Sequence, residues 1–303
     1  MEARRERALV LHGGGAAGNA WEIGVVAGLF AAGLDVTAAD LIVGTSAGAT
    51  AAAQILSANP TDLLAAILSA APGQQSAPGA PASGGAHNGP VVNALEVTSR
   101  IIASAANAAD MRRRMGAAAL ELDAATDGPE PTGWQTPWRA VVAARLPSQY
   151  WPERRLLITA VDALTGEPVV FDRDSGVDLV DAVAASTSNG FGVPPFRIGE
   201  RRYIDGGYRR NENADLAAGY ARVLVLSPFG GRSRHPPEWG MQLAAQVDEL
   251  RARHSTVETI FPDEASLGAF GANMMDVSRR PAAAQAGFSQ GEALAGQLAE
   301  FWR

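Results

Sequence analysis

DLIVGTSAG, at positions 40–48, is a short apolar run that ends in Gly-x-Ser-x-Gly and feeds an alanine-rich segment. This order predicts a strand, a sharp turn carrying Ser46, and a helix beginning at about Ala47. Gly44 and Gly48 flank the serine by two residues each, where a strand-to-helix turn brings backbones too close for a larger side chain. The turn lifts the Ser46 hydroxyl toward solvent beside the helix's free N–H groups, whose partial positive charge favours an alkoxide or oxyanion. By itself the pentapeptide reads equally well as a small-residue turn in a chain rich in alanine and glycine, so other motifs must decide.

Composition removes several alternatives. The chain has 303 residues, enough for one large α/β domain with a sizeable core, and its 47% hydrophobic and 19% charged content is that of a globular protein. A net charge of −7 and a pI of about 5.2 argue against a nucleic-acid partner. All 25 basic residues are arginine, so neither a Schiff-base lysine nor a P-loop lysine exists. The absence of cysteine excludes disulfides, thiolate catalysis and thiolate metal sites. No metal-ligand spacing appears, and no metal or cofactor is expected. Residues 1–15 hold only a four-residue apolar run, too short for a signal-peptide core, and nothing approaches the ~18 apolar residues of a membrane span. A cytoplasmic protein is the expectation.

Upstream of the serine, residues 7–12 (RALVLH) read as a buried first strand running into Gly13, Gly14, Gly15, Ala16, Ala17 and Gly18, after which residues 21–32 have helical spacing. Such a loop aims several backbone N–H groups at one point, which suits a phosphate or the oxyanion of a tetrahedral intermediate. Gly13, Gly15 and Gly18 match the dinucleotide fingerprint. That reading needs an acidic residue at the end of the second strand, where this chain has Val43, Gly44, Thr45 and Ser46. His12 to Gly15 also match the HGGG oxyanion loop of α/β-hydrolases. Only one helix and one strand fit between Gly15 and Ser46, however, and that fold needs a late catalytic histidine. His235 is its one plausible candidate; His87 lies in a Gly/Pro/Ser-rich stretch, and His254 ends a charged helical one.

A glycine loop, helix, strand and serine elbow in that order resemble the patatin-like phospholipase family. The resemblance extends over residues 7–228. It takes in Ala185 and Ser186, Pro194 and Pro195, a short hairpin at 196–198 and 201–204, Asp205-Gly206-Gly207, then Asn213, Ala214 and Asp215 before a strand at 223–226. It implies a three-layer α/β/α fold with a central, mostly parallel sheet. It also implies a lipid acyl hydrolase with Ser46 as nucleophile and Asp205 as its partner, and an oxyanion hole at Gly13, Gly14 and Gly15. Gly18, Gly44, Gly48, Gly206 and Gly207 support these motifs. The implied substrate is a lipid or acyl ester, which allows peripheral membrane contact. A nonlipolytic serine esterase and a catalytically weak member that binds lipid or a partner are the alternatives. The family's loop carries a basic residue where this chain has Ala17, with no sequence neighbour to stand in, and residues 188–192 (SNGFG) lack the usual apolar and proline residues.

A Ser-Asp dyad makes a demand of its own. Aspartate at its ordinary pKa near ~3.9 is a weak base for a hydroxyl, so the site must raise that pKa by burial. Asp162 and Asp181 are alternative acids, but their positions read as a cap and a surface charge, and neither has a Gly-Gly turn after it.

The rest of the chain is expected to belong to one domain spanning 1–303, with 229–303 extending it. Helices are expected at 61–71, 91–106, 110–122, 134–146, 179–185, 238–254 and 281–302, and strands at 155–161, 169–171 and 257–261. Residues 72–90 read as a mobile loop. Arg112, Arg113 and Arg114 read as a solvated face. Trp134, Trp138, Tyr150 and Trp151 read as packing residues, with a lid over an apolar substrate as the alternative.

Overall fold

Ala8, Leu9, Val10 and Leu11 are wholly buried, as a continuous apolar run must be when a parallel strand is covered on both faces. A computed structural model describes residues 6–70, 94–126 and 135–303. Its strands are β1 (Arg7–Leu11), β2 (Leu41–Gly44), β3 (Arg155–Asp162), β4 (Pro168–Phe171), β5 (Phe196–Ile198), β6 (Arg201–Asp205), β7 (Arg222–Leu226) and β8 (Thr256–Ile260). The α-helices are α1 (Gly15–Ala31), α2 (Ala47–Ile55), α3 (Pro60–Ser69), α4 (Ala94–Ser104), α5 (Ala108–Thr126), α6 (Gln135–Arg145), α7 (Leu179–Ser186), α8 (Leu243–Ala252), α9 (Glu264–Phe270) and α10 (Arg280–Trp302).

The strand order is β5-β6-β3-β2-β1-β7-β8, with β4 paired to β3 off this path. The β1–β2, β1–β7, β2–β3 and β7–β8 pairs are parallel, and β4, β5 and β6 add an antiparallel corner. The fold is therefore α/β with a mixed, mostly parallel sheet between helices. The pleat divides β1: Leu9 and Leu11 join the core under α1, α2, α7 and α10, while Ala8 and Val10 join the one under α8 and the 3-10 turn Ala214–Ala217. The register sets Leu11 and Gly44, at the carboxyl ends of β1 and β2, beside Ile158 in the middle of β3. Ligands bind at this end of open α/β sheets.

Several boundaries differ from expectation. α1 starts at Gly15, so Ala16, Ala17 and Gly18 are its first turn and not loop. The expected helix at 238–254 is shorter, because Gly240 at φ 62° breaks it after a 3-10 turn and α8 begins only at Leu243. His254 lies past the end of α8 at φ 69°. α9 was not foreseen; Asp263 caps it by accepting from the Ser266 amide. The expected loop 72–90, with His87, and Trp134 lie outside the described residues. Among the described residues no helix is long and apolar enough to cross a membrane.

Candidate active site

Ser46 joins β2 to α2 with φ 55° and ψ −123°, a conformation that a residue with a side chain rarely adopts. Glycines permit it. A Cβ on Gly48 would lie 2.3 Å from the Leu11 carbonyl oxygen, and one on Gly44 would lie 2.6 Å from Ala49 Cα. The helix can therefore start directly against β1, with the serine at its N-terminus. The Ser46 amide donates to Ser186 Oγ at 2.9 Å, which fixes the turn to the end of α7.

Asp205 ends β6 opposite Ala160 of β3. Its carboxylate accepts from the Gly207 amide at 2.8 Å and faces the Ser46 hydroxyl, and hydrogen bonding from both favours its ionised form. Burial pushes its pKa up to about 6, against the lowering effect of those two bonds. Gly206 permits the approach, because a Cβ there would meet Thr159 Oγ1 at 2.1 Å. Behind the pair runs a buried network. Asn213, at φ 58°, donates from Nδ2 to Thr45 Oγ1 (3.0 Å), Thr159 Oγ1 (3.3 Å) and the Gly206 carbonyl (3.0 Å), and the two threonine hydroxyls lie 2.9 Å apart. One amide thus ties the elbow, β3 and the aspartate turn together. Arg209 holds Asn213 Oδ1 at 2.7 Å and pairs with Asp215 at 2.7 and 2.9 Å.

The glycine loop closes the third side. A Cβ on Gly13 would stand 3.0 Å from Ser46 Cβ and 3.3 Å from its Oγ. The amides of Gly13, Gly14 and Gly15 donate to no carbonyl or side chain among the described residues. Pro228 packs on Gly14 and Gly18, and the Met274 carbonyl accepts from Ala17 N at 3.0 Å. Next to the loop His12 is buried and held neutral, its pKa lowered to about 3 by burial. Glu22, beneath the loop on α1, is driven well above the ordinary carboxylate range by the same cause.

Ser46, Asp205 and the glycine loop thus come together, whereas the alternative acids do not join them. Asp162 accepts from the amides of Leu164 and Thr165 and pairs with Arg201; Asp181 pairs with Arg139. His235 faces Ser233 and Asn211, each at 3.2 Å, and burial followed by the charge of Arg234 lowers its pKa to about 4. Trp138 is buried, and Trp151 donates to the Val177 carbonyl at 2.7 Å, so both pack the fold, while Tyr150 is exposed. The arginine run is not uniformly a solvated face: Arg112 donates to the Gly166 carbonyl at 2.9 Å. Among the described residues no cluster of three or more His, Asp and Glu could hold a metal ion. An alanine-lined groove of about 590 Å³ between α9 and α10 contains none of the three site elements.

Thr159 and Arg280 were not singled out from sequence, and Ser186 was noted only as part of the Ala-Ser motif. A hydroxyl inside a strand or at a helix end carries no spacing signal, and Arg280 is far away along the chain. In space Arg280 donates to the Ala16 carbonyl at 3.3 Å and to Asn19 Oδ1 at 2.8 Å. A basic residue does support the first turn of α1, supplied by α10 where no sequence neighbour provides one.

A family model for patatin-like phospholipases matches residues 9–218, more than half of the 303 residues. The chain is similar in fold to VipD from Legionella pneumophila, at 14% identity and a TM-score of 0.44, with 97% of this chain and 67% of that one covered. It is also similar to the type III effector protein ExoU, at 16% identity and a TM-score of 0.35, with 97% of this chain and 53% of that one covered. No curated protein matches the sequence.

Proposed function

The chain belongs to the patatin-like phospholipase family, and from that premise we propose that it hydrolyses lipid ester bonds through a Ser46–Asp205 dyad. The observation that carries this reading is the strained Ser46, set beside the half-buried carboxylate of Asp205, whose pKa its hydroxyl lowers, and flanked by glycine amides that donate to no other acceptor among the described residues. Asp205 takes the hydroxyl proton as Ser46 Oγ attacks the ester carbonyl, and the amides of Gly13, Gly14 and Gly15 hold the resulting oxyanion. Collapse of the tetrahedral adduct breaks the C–O bond, and Asp205 passes its proton to the leaving alkoxide. Water then attacks the acyl-serine, giving a proton to Asp205, and the released serine takes it back. A pKa near 6 suits this double duty, because a base stronger than an ordinary carboxylate remains ionised at neutral pH.

The test uses a fluorophosphonate probe together with two substrates, a phospholipid and a short p-nitrophenyl ester. One label on Ser46 and hydrolysis of both substrates, each lost in Ser46→Ala, is the expected result. Labelling of another serine would overturn the assignment. Hydrolysis of the short ester alone would make the protein a nonlipolytic esterase, and hydrolysis of neither would make it a binding member of the family.

A further inference from the structure

Glu212 carries a carboxyl that the proposed reaction does not use. The residue is wholly buried, and its Oε1 accepts from the Ser227 hydroxyl at 2.9 Å. Its second carboxyl oxygen is buried with no hydrogen-bond partner among the described residues, and burial pushes its pKa up to about 7. A half-satisfied buried carboxyl costs stability relative to an apolar side chain of the same size. What it secures lies on the far side of Ser227.

Ser227 follows β7 and organises the turn 227–231. Its hydroxyl accepts from the Gly231 amide at 3.0 Å while it donates to Glu212, its carbonyl accepts from the Gly230 amide at 2.9 Å, and its own amide donates to the Ile260 carbonyl at 3.0 Å. The turn sets Pro228 and Phe229 against the glycine loop. A Cβ on Gly14 would stand 2.7 Å from Pro228 Cβ and one on Gly18 would stand 3.1 Å from it, so the proline ring lies directly on both glycines. Phe229 meets His12 edge to face, with ring centroids 5.7 Å apart. On the other side of the loop a Cβ on Gly15 would lie 2.7 Å from Met275 Sδ. The amides of Gly13, Gly14 and Gly15 donate to no described group, so packing sets where they point, and the 227–231 turn supplies one wall of it.

We propose that Glu212 is a positioning residue for the oxyanion hole: through Ser227 it fixes the 227–231 turn, whose Pro228 and Phe229 hold the glycine loop against Ser46. It touches no reacting atom. The carboxylate and the carbonyl oxygen of the neutral acid both accept from Ser227, so the brace does not depend on protonation. Two consecutive buried side chains then divide the support of the site. Asn213 reaches the elbow and the aspartate turn, and Glu212 reaches the loop opposite. The effect on rate rests on the acyl-hydrolase reading, whereas the hold on the loop does not.

The test uses the full-length protein and reads two quantities, amide hydrogen exchange over residues 12–18 and hydrolysis of a short p-nitrophenyl ester. The bonded amides there are His12, Ala17 and Gly18, which donate to the carbonyls of Leu226, Met274 and Gly14. Glu212→Met removes the acceptor at similar volume, so exchange of these amides should quicken at least ~5-fold. In the folded fraction kcat should fall at least ~10-fold with KM within about twofold, the mark of an interaction made in the transition state. Glu212→Gln keeps the acceptor and should recover the rate to within about threefold of wild type. A Glu212→Met protein that melts lower but keeps the kcat of wild type would make Glu212 a structural residue and overturn the proposal. A fall in kcat with unaltered exchange overturns it too, as does a Glu212→Gln protein as slow as Glu212→Met. Ser227→Ala breaks the same link from the other side, and the double variant should be no slower than the slower single one; additive losses overturn the route through Ser227. If Glu212→Met does not fold, Ser227→Ala carries both readouts. A wild type that hydrolyses no ester rejects the proposed activity, and exchange alone then decides whether Glu212 holds the loop.

Discussion

Gly44 and Gly48 at the elbow have the same spacing as Gly24 and Gly28 on α1 and Gly287 and Gly291 on α10, and all six lie against foreign backbone. At the elbow a Cβ on Gly48 would reach 2.3 Å from the Leu11 carbonyl oxygen; at the helix seam one on Gly28 would reach 2.2 Å from that of Phe288, and one on Gly291 would reach 2.3 Å from that of Val25. The close approach is alike, but its products are not. A strand precedes the first pair, so the chain must reverse between the glycines and force Ser46 to φ 55°. The second pairs sit inside helices, where close approach only lets α1 and α10 interlock. Spacing alone therefore does not separate a nucleophile turn from a packing seam. The element before the first glycine does.

The largest expected effect lies at the aspartate that completes the elbow. Asp205→Asn keeps an acceptor for the Gly207 amide and removes the base, so kcat should fall by ~10²–10⁴. Stability should move the other way. A carboxylate whose folded pKa is raised from 3.8 to about 6 is penalised when ionised, so the folded state gains stability as pH falls through 6 and is burdened above it. The neutral amide removes a burden of roughly 1–3 kcal/mol at pH 8, so melting there should occur at a higher temperature than in wild type. A lower melting temperature with an unchanged rate would make Asp205 a structural turn residue.

Gly48→Ala attacks the elbow from below. The new methyl cannot coexist with the Leu11 carbonyl, so β1 and α2 must separate and Ser46 must shift against the glycine loop. A displacement of about 1 Å at a reacting group can cost ~10²-fold in rate. That loss, measured as specific activity of the folded fraction, is the expected outcome. Next in size is the pH response of the wild type. As the base must be ionised, kcat/KM should be level above pH 7 and decline about tenfold per unit below 6, so that pH 5 gives roughly a tenth of the plateau. A plateau extending down to pH 4 would remove Asp205 as the base.

The elbow was legible because strand, glycine, serine and helix follow one another within a few residues. So were the buried parallel strands, which read as unbroken apolar runs ending at turns, whereas Asp205, on an antiparallel strand, stood out only through the family resemblance and the Gly206-Gly207 turn after it. The support of the site was not. Asn213 was noted only as part of a motif, although its left-handed backbone aims one amide at three acceptors on three segments. Ser186 and Thr159 act through hydroxyls that any exposed serine or threonine also carries. Arg280 meets Ala16 only because α10 lies across α1, a crossing that was not read from the sequence. Gly24, Gly28, Gly287 and Gly291 mark small-residue faces four apart on two helices, a spacing for close backbone approach.

The smallest expected effect on rate is the one that most sharpens the comparison. Gly28→Ala places a methyl 2.2 Å from the Phe288 carbonyl oxygen, a clash between two backbones that no side-chain rotation relieves. Overpacking of this kind costs about 1–3 kcal/mol, and melting should fall by roughly 2–10 °C. Gly28 is three turns from the glycine loop, at the far end of α1, so the folded molecules should keep their specific activity within about threefold. Gly48→Ala and Gly28→Ala then make the same chemical change at nearly the same backbone distance, one mainly in rate and the other mainly in stability. Equal losses of rate in both would mean that the α1–α10 seam sets the oxyanion loop directly. The Arg280 bridge from α10 to Ala16 would be the route, and Arg280→Gln should then reproduce the loss without lowering the melting temperature as far.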